Sequence, residues 1–277
     1  MTRLLDSLSR IADRYDAVVL DQWGVLHDGS TLYPSVLSCL DALKRAGHQL
    51  AVLSNSGKRA APNAARIADM GLHPHLFAKV MTSGEALWRD IAAGRIPARS
   101  FLAIERAPGD ARAWAQGLDV TIVDDLSQAD AVLLMGLPDG ASLNAWRDAL
   151  EQALARDLTV YCSNPDQASP RAGGLVLSPG ALAIAFRDMG GDVIFYGKPH
   201  KPIFAALKVA LGASRLLMVG DSLEHDIAGA QAAGWDSVLI QGGLYASDFA
   251  GAEADAVLDG LVTEKGVRPT YRMEILQ

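Results

Sequence analysis

An α/β fold, with a doubly wound parallel sheet and an inserted second α/β domain, is predicted by three features of this sequence. Short apolar strands alternate with helical segments, as in parallel sheets whose faces are covered by helices. Two of these strands end at an aspartate, Asp21 after residues 17–20 and Asp221 after residues 215–220. The length of 277 residues exceeds what one hydrophobic core usually serves, which favours two domains.

The composition favours a soluble, cytoplasmic protein with neither nucleic acid nor a membrane as partner. The net charge of −7 and the hydrophobic content of 50% are ordinary for a cytosolic globular protein. No lysine and arginine cluster offers the basic patch that nucleic acid requires. No signal peptide is expected, because residues 4–11 are interrupted by polar side chains, and no apolar run reaches the roughly 18 residues of a membrane span.

The first elements follow from periodicity and from helix-boundary residues. One apolar face in residues 2–14 predicts a short amphipathic helix, and residues 17–20 form a strand buried on both faces. Pro34 and Gly47 bound the next helix. The strand 48–54 then ends in Ser54, Asn55 and Ser56, whose hydroxyl and N–H groups suit either an anion site or a helix cap.

An inserted domain is predicted at residues 79–181, between core segments 1–78 and 182–277. The strands expected there do not end at acids of the Asp21 kind. The last of them ends at Asn164, Pro165 and Asp166, a turn that is either structural or directed into a cleft.

The C-terminal core segment supplies further charged residues at strand ends. Lys198 precedes a predicted helix at 202–211, where the helix dipole disfavours a cation unless a negative group lies nearby. Asp226 follows Asp221 by five residues. Segments 237–240 and 256–258 are predicted to complete the sheet as strands.

Carboxylates are therefore expected to cluster beyond the carboxyl ends of the strands, where ligands bind in open α/β sheets. Clustered carboxylates repel one another unless a cation lies among them. Hard oxygen ligands in small number favour Mg²⁺.

Asp21, Ser54, Lys198 and the pair Asp221 and Asp226, each just past an apolar strand, resemble the motifs of the haloacid-dehalogenase superfamily of phosphotransferases. The resemblance extends along most of the chain and implies a Rossmann-like core with a cap domain. The large insertion is similar to that of the class IIA branch, which includes para-nitrophenylphosphatase-like enzymes and sugar or nucleotide monophosphatases.

The resemblance implies a role for each matching residue. Asp21 would attack phosphorus, Ser54 would hydrogen-bond the phosphoryl oxygens, and Lys198 would neutralise charge. The implied Mg²⁺ ligands or supports are Asp21, the backbone carbonyl of Trp23, Asp221 and Asp226. The residues nominated for binding the substrate, a small-molecule phosphate ester, are Asn55, Ser56, Asn164 and Asp166. The resemblance also suggests a homodimer formed through the cap.

The departure from the superfamily pattern is at Trp23. Most phosphatases of this superfamily carry there a second aspartate, which protonates the leaving oxygen and then activates water. A positioned acid or base contributes about 10²- to 10⁴-fold in rate. His27, Asp28 and His200 are the nearby titratable residues that would have to substitute. The indole of Trp23 either packs on the protein or stacks on a substrate.

Two functional hypotheses follow. The first is a Mg²⁺-dependent phosphatase that hydrolyses a small phosphorylated metabolite, a sugar or nucleotide monophosphate, through an aspartyl-phosphate. The second is a protein that binds a phosphometabolite, or is regulated by one, with weak turnover because Trp23 replaces the acid. A weaker third hypothesis is transfer to an acceptor other than water. Dinucleotide and P-loop chemistry are disfavoured, because neither glycine-rich motif is present.

Overall fold

The chain divides into two compact units in the computed structural model, which describes residues 1–171 and 174–277. The first unit comprises Met1–Ser54, Ala61–Met81 and Lys198–Gln277, and the second comprises Asn55–Ala60 and Thr82–Gly197. The strands are β1 (Arg3–Leu4), β2 (Ala17–Leu20), β3 (Gln49–Ser54), β4 (Lys79–Thr82), β5 (Ser100–Ile104), β6 (Thr121–Val123), β7 (Ala131–Leu134), β8 (Thr159–Cys162), β9 (Ala168–Arg171), β10 (Gly174–Leu177), β11 (Val193–Phe195), β12 (Leu216–Gly220), β13 (Asp236–Ile240) and β14 (Tyr271–Met273).

Helices connect most of these strands, as the alternating apolar pattern predicts. They are α1 (Val36–Arg45), α2 (Ala60–Asp69), α3 (Ser83–Ala92), α4 (Asp110–Trp114), α5 (Leu143–Ala155), α6 (Pro179–Asp188), α7 (Lys201–Leu211), α8 (Ala228–Ala232), α9 (Ala246–Phe249) and α10 (Ala254–Lys265). A π-helical turn at Leu223–Ile227 precedes α8. Short 3₁₀ turns occur at Leu8–Arg10, Ala12–Arg14, Pro74–Leu76 and Leu126–Gln128.

The first unit is built on a sheet whose described strands run in the order β1-β14-β13-β12-β2-β3-β4. Strand β2 is buried throughout and pairs in parallel with β12 on one side and β3 on the other. In this register Leu20 lies opposite both Val219 and Val52. Because the chain runs outward from β2 through β3 and later returns through β12, the strand order reverses between β2 and β12, where ligands bind in such sheets.

The second unit has its own parallel sheet, in the order β11-β8-β7-β5-β6 among the described strands. Strands β9 and β10 pair with each other in antiparallel orientation. The core contains the fully buried side chains of Leu134, Val160 and Phe186. Strand β5 lies between β6 and β7, so the strand order reverses beside β5. The predicted fold class, two α/β units with parallel sheets, is confirmed.

Two predicted elements of the first unit are wrong. Residues 2–14 form the edge strand β1 and 3₁₀ turns instead of a helix, because Arg3 and Leu4 pair with Tyr271 and Arg272 at the sheet edge. Residues 256–258 belong to helix α10 and not to a strand. The side chain of Glu253 accepts hydrogen bonds from the N–H groups of Asp255 and Ala256, which begins a helix there.

The limits of the second unit differ from the predicted limits of 79 and 181. Strand β4 belongs to the larger sheet beside β3. Strand β11 pairs with β8, which carries the second unit on to Gly197. Strand pairing between distant segments causes both differences, and apolar periodicity does not encode it. None of the helices formed by residues 1–171 and 174–277 combines the length and apolarity that a membrane crossing requires.

Candidate active site

Three of the predicted site residues leave adjacent strands at the same edge of the larger sheet. Asp21 follows β2, Ser54 ends β3, and Asp221 follows β12. The backbone N–H of Asp21 donates to the carbonyl of Val219 at 2.9 Å, which continues the pairing of β2 with β12. The parallel register thus brings these three strand ends to one edge of the sheet.

Lys198 connects two of the carboxylates. Its Nζ lies 2.6 Å from Asp21 Oδ1 and 2.7 Å from Asp226 Oδ1. The side chains of Lys198 and Asp226 are 3% and 0% exposed, so this ion pair is shielded from solvent. Burial by itself lowers the pKa of the ammonium, but the charges and hydrogen bonds of Asp21 and Asp226 outweigh this effect, so the pKa of Lys198 is raised. The cation just before helix α7 therefore has the negative partners that its position requires.

Asp221 is fixed by backbone groups that the sequence alone does not identify. Its Oδ2 accepts a hydrogen bond from the N–H of Leu244 at 2.8 Å. Gly24 and Gly243 pack against this carboxylate so closely that a Cβ at either position would overlap it. Gly24 also has φ +73°, which favours glycine. The loop after Trp23 therefore lies directly against Asp221.

Asp226 lies within the π-helical turn that follows β12. Its Oδ2 accepts from the N–H of Ser222 at 3.1 Å, while its Oδ1 contacts Lys198. A Cβ at Gly220 would overlap the Asp226 carboxylate, so glycine is required for this close approach. Both carboxylate oxygens of Asp226 are thus engaged within the protein.

The carboxylates of Asp21, Asp221 and Asp226 each place an oxygen within 4.8 Å of the others. Burial raises the pKa of Asp21 to about 7, although Lys198 opposes the rise. Burial and the charges of Asp21 and Asp226 raise the pKa of Asp221 to about 8. Three crowded carboxylates with one ammonium remain anionic when ionised. A hard divalent cation such as Mg²⁺ fits this all-oxygen donor set.

Trp23 follows Asp21 by two residues, and its side chain is partly exposed to solvent. Its side chain is 43% exposed, and its six-membered ring packs against Gly29, where a Cβ would overlap it. The indole also meets the His27 ring edge to face, with centroids 5.9 Å apart. The packing interpretation therefore accounts for one side of the indole, and the exposed part stays accessible.

His27 and Asp28 have structural contacts of their own. His27 is fully buried, and its Nδ1 accepts from the N–H of Gly29 at 3.0 Å. Burial and the nearby charge of Arg66 lower the pKa of His27 to about 4, so the ring is neutral at pH 7. The Asp28 carboxylate accepts from the backbone N–H groups of Ser30 and Thr31 and from both hydroxyls, which lowers its pKa.

A buried polar network adjoins the loop that begins at Asp21 and was not predicted. Gln22, which is 1% exposed, donates from Nε2 to Asn63 Oδ1 at 2.6 Å. Arg66 donates to Gln22 Oε1 at 2.9 Å. Helix α2, which carries Asn63 and Arg66, is thus attached to the loop that begins at Asp21. The helical spacing of Asn63 and Arg66 is the one signal in the sequence that these two side chains share a face.

The other predicted binding residues lie in the second unit. Asn55 donates from Nδ2 to Asp166 Oδ1 at 2.7 Å, and the N–H of Asp166 donates to Asn164 Oδ1 at 3.2 Å. The structural interpretation of the turn at Asn164–Asp166 therefore has direct contacts that support it. Ser56 accepts from the N–H of Lys58 through its side chain and from Gly84 through its carbonyl.

A cavity of about 380 Å³ opens within the second unit. Residues after β5 and β7, including Arg106 and Gly136, line it where the strand order reverses. Ser56 and Asn164 also line this cavity, together with the apolar side chain of Leu177.

Known proteins resemble this chain in sequence and in structure. A haloacid dehalogenase-like hydrolase family model matches residues 18–112, and a HAD-hydrolase-like model matches residues 195–263. D-glycerol 3-phosphate phosphatase of Mycobacterium tuberculosis is 28% identical over 95% of this chain and 70% of its own. The crystal structure of a glycerol phosphate phosphatase from that organism with magnesium has a TM-score of 0.72 at 25% identity, over 97% of this chain and 77% of the other.

A crystal structure from Brucella suis 1330, described as a hydrolase of the haloacid dehalogenase-like family, extends the match to the whole chain. It has a TM-score of 0.80 at 30% identity and covers 99% of this chain and 100% of its own. The resemblance inferred from five residues at strand ends is thereby confirmed across both units, and the chain belongs to the haloacid dehalogenase-like hydrolase family.

Proposed function

We propose that this protein is a Mg²⁺-dependent phosphatase that hydrolyses a small phosphorylated metabolite, a sugar or nucleotide monophosphate, through an aspartyl-phosphate on Asp21. The observation that carries the proposal is the contact of Asp21 Oδ1 with Lys198 Nζ at 2.6 Å, within a cluster that includes Asp221 and Asp226. The phosphatase activity named for the Mycobacterium tuberculosis relative supports it.

Asp21 is the proposed nucleophile. Lys198 holds its Oδ1, which leaves the other carboxylate oxygen to attack phosphorus. The P–O bond to the leaving group then breaks, and Lys198 offsets the charge on the phosphoryl oxygens. Positioning and charge neutralisation are the main requirements of phosphoryl transfer. The nearly complete burial of Lys198 strengthens both, because few water molecules screen its charge.

The proposed metal ligands or supports are Asp21, the carbonyl of Trp23, Asp221 and Asp226. Bound Mg²⁺ would neutralise the crowded carboxylates and the phosphate charge. Asp221 Oδ2 is oriented by Leu244, and Asp226 holds Lys198 and accepts from Ser222, so we assign Asp226 a supporting part. The magnesium bound to the related phosphatase supports this choice of cation.

Substrate contacts are proposed for the remaining residues. Ser54, at the end of β3, would hydrogen-bond the phosphoryl oxygens, with Asn55 and Ser56 next to it in the chain. Ser56 and Asn164 line the cavity of the second unit, which supports a part in ligand binding. Asp166 would act through Asn55, to which it is hydrogen-bonded. A cytoplasmic location and a homodimer through the second unit remain predictions.

A second candidate is a phosphometabolite-binding or regulatory protein with weak turnover. The observation that favours it is Trp23, which occupies the place of the expected acid and has an indole packed on Gly29. This candidate predicts tight, Mg²⁺-dependent binding of a phosphate ester without rapid phosphate release. Transfer from the aspartyl-phosphate to an acceptor other than water is the weaker third candidate.

Phosphate release from a broad panel of metabolite phosphates and para-nitrophenyl phosphate, with and without Mg²⁺, tests the proposal. The phosphatase is supported if Asp21→Asn abolishes release while circular dichroism and the unfolding midpoint show a folded protein. Equal release by the wild type and the folded Asp21→Asn variant would contradict it. Binding of a phosphate ester without release, measured by calorimetry, would favour the second candidate.

A further inference from the structure

The side chains that follow the nucleophile determine which leaving groups this site can expel. Breaking a P–O bond leaves an electron pair on the departing oxygen. An alkoxide needs a proton at that moment, whereas a phenolate, enolate or carboxylate is stable without one. The question is therefore which side chain between Gln22 and Asp28 can deliver a proton. His200, which is half-buried and outside this loop, is the alternative donor, and its action would appear in the tests below as rapid hydrolysis of alkyl phosphates.

Gln22 has no ionisable proton, and both ends of its amide are hydrogen-bonded to helix α2. Nε2 donates to Asn63, and Oε1 accepts from Arg66. The side chain is 1% exposed. Gln22 therefore positions the loop and does not reach a substrate.

His27 cannot reach a substrate either. Its side chain has no exposed surface, and its Nδ1 is occupied by the N–H of Gly29. The other nitrogen, Nε2, lies 3.5 Å from the Arg66 guanidinium. A ring enclosed by Gly29, Arg66 and Trp23 has no path for a proton to a bound phosphate ester.

Asp28 is exposed, but its carboxylate is committed to the turn that follows. Oδ1 accepts from the N–H groups of Ser30 and Thr31 and from the Ser30 hydroxyl, and Oδ2 accepts from the Thr31 hydroxyl. These donors stabilise the ionised form, which carries no proton to give.

Trp23 is the remaining large side chain of the segment with open surface. Its indole is 43% exposed, although an apolar ring of this size is normally buried. Gly29 supports one part of the ring system, and His27 meets it at an interplanar angle of 72°. The ring is thus fixed in place with a free apolar surface, as a stacking platform for a planar group requires.

We propose that the substrates are phosphate esters whose planar leaving group departs without a proton, namely aryl or enol phosphates, and that Trp23 binds this group by stacking. The inference rests on the proposed phosphatase function and changes its substrate class. Aryl or enol phosphates take the place of the sugar and nucleotide monophosphates proposed above, because alkoxide leaving groups require a proton donor that the loop after Asp21 does not supply.

The two chemical steps balance without an acid from the loop. In the first, an Asp21 oxygen forms a bond to phosphorus, and the P–O bond to the leaving group breaks with its electron pair on the departing phenolate or enolate. In the second, water attacks phosphorus, the bond to the Asp21 oxygen breaks, and the proton of the water passes to the phosphate product or to solvent. The loop supplies no base for the second step, because His27 is buried and the Asp28 carboxylate is held by the turn, so we expect this step to limit kcat.

The first test measures kcat/KM for substituted phenyl phosphates, from strongly to weakly acidic phenols, together with an alkyl phosphate of similar size. We expect kcat/KM to fall at least about 100-fold along the series in the wild type. Trp23→Asp, which introduces an acid, should reduce this fall by about 10²- to 10⁴-fold, whereas the matched variant Trp23→Phe should retain it. An initial burst of phenol before steady-state turnover is also expected.

The second test separates stacking from leaving-group acidity. Acetyl phosphate has a good leaving group without a ring, so the ratio of kcat/KM for nitrophenyl phosphate to that for acetyl phosphate reports on stacking. Trp23→Leu should lower this ratio about tenfold, the effect of about 1.4 kcal/mol. Benzylphosphonate should quench tryptophan fluorescence in the wild type, and this quench should be absent in Trp23→Phe.

The possible failures are distinguishable. Alkyl phosphates hydrolysed as fast as nitrophenyl phosphate would overturn the inference and leave the phosphatase proposal intact. The stacking role would be overturned if Trp23→Leu left the ratio of kcat/KM for nitrophenyl phosphate to that for acetyl phosphate unchanged, and if benzylphosphonate quenched the fluorescence of Trp23→Phe as it quenches that of the wild type. Absence of phosphate release and of a phenol burst from every ester would overturn the phosphatase proposal itself.

Discussion

Lys198 Nζ lies 2.7 Å from Asp226 Oδ1, and both side chains are buried. Asp221, by contrast, receives a hydrogen bond from the uncharged N–H of Leu244. The two neighbouring aspartates therefore have opposite effects on the metal-free fold. One compensates a buried cation, and the other adds to a crowded group of anions.

Asp226→Asn should lower the free energy of unfolding by about 1–3 kcal/mol, because it removes one of the two carboxylates that contact the buried Lys198, which keeps Asp21 as its partner. Asp221→Asn should raise it by about 1–2 kcal/mol at pH 7, because it removes a carboxylate whose pKa is raised to about 8. Denaturant unfolding in the presence of a chelator measures both values. If both variants changed the free energy of unfolding in the same direction, the opposite effects assigned to the two aspartates would be contradicted.

The metal-free protein should lose stability as the pH rises from about 6.5 to about 8. Asp21 and Asp221, with pKa values raised to about 7 and about 8, retain protons in the folded state that the unfolded chain has already released. Their stabilising contribution is full below the ordinary pKa of 3.8 and disappears above the folded values. The pKa of His27 is lowered to about 4, so its contribution to stability rises with pH, but only below its ordinary pKa of 6.5.

Unfolding midpoints measured across this pH range, with a chelator or with saturating Mg²⁺, test the expectation. The decrease of the unfolding midpoint with rising pH should be smaller in Asp221→Asn than in the wild type. It should largely vanish when Mg²⁺ occupies the carboxylates. A midpoint independent of pH in the metal-free wild type would argue against the crowded carboxylates.

Gly24→Ala should reduce phosphate release about 100-fold, because the new Cβ would displace the Asp221 carboxylate and a misplacement of about 1 Å has effects of this size. Gly234→Ala is the matched control. Its φ of +72° equals that of Gly24 within one degree, and nothing lies within 4 Å of its Cβ position. Both variants should lose about 1–2 kcal/mol of stability from backbone strain. Only Gly24→Ala should lose activity and Mg²⁺ affinity, and equal activities would refute the contact.

Asn63→Ala should cost about 1–3 kcal/mol of stability, since it leaves Gln22 Nε2 buried without its acceptor. Asn144, an exposed residue of helix α5, supplies the control, and Asn144→Ala should change stability by no more than about 0.5 kcal/mol. Thermal unfolding of the two variants is the measurement. Equal effects would mean that the network behind Asp21 contributes nothing beyond surface contacts.

Local patterns in the sequence were sufficient to predict the strand ends that carry the polar site residues. Asp21, Ser54 and Asp221 each terminate an apolar strand, and parallel strands must present their carboxyl ends at one edge. The lysine was predictable in the same way, since a cation before a helix requires an anion nearby. These inferences depend on neighbours in the chain and on a general rule of sheet geometry.

What was missed depends on pairs that are distant in the sequence. Neither the approach of Gly24 to Asp221 nor the hydrogen bond from Leu244 follows from any local period. Strand β11 likewise belongs to the second unit because it pairs with β8. The N-terminal apolar face predicted a helix, but pairing with β14 at the sheet edge outweighed this local preference.

The chain passes from the first unit into the second twice and returns each time, with consequences for folding during synthesis. Strand β2 emerges early, but its partner β12 is made only after residues 82–197 of the second unit. Contacts so distant in sequence close slowly, whereas the second unit is nearly continuous and can form earlier. During synthesis, the edge of β2 that pairs with β12 therefore has no partner until most of the polypeptide has been translated.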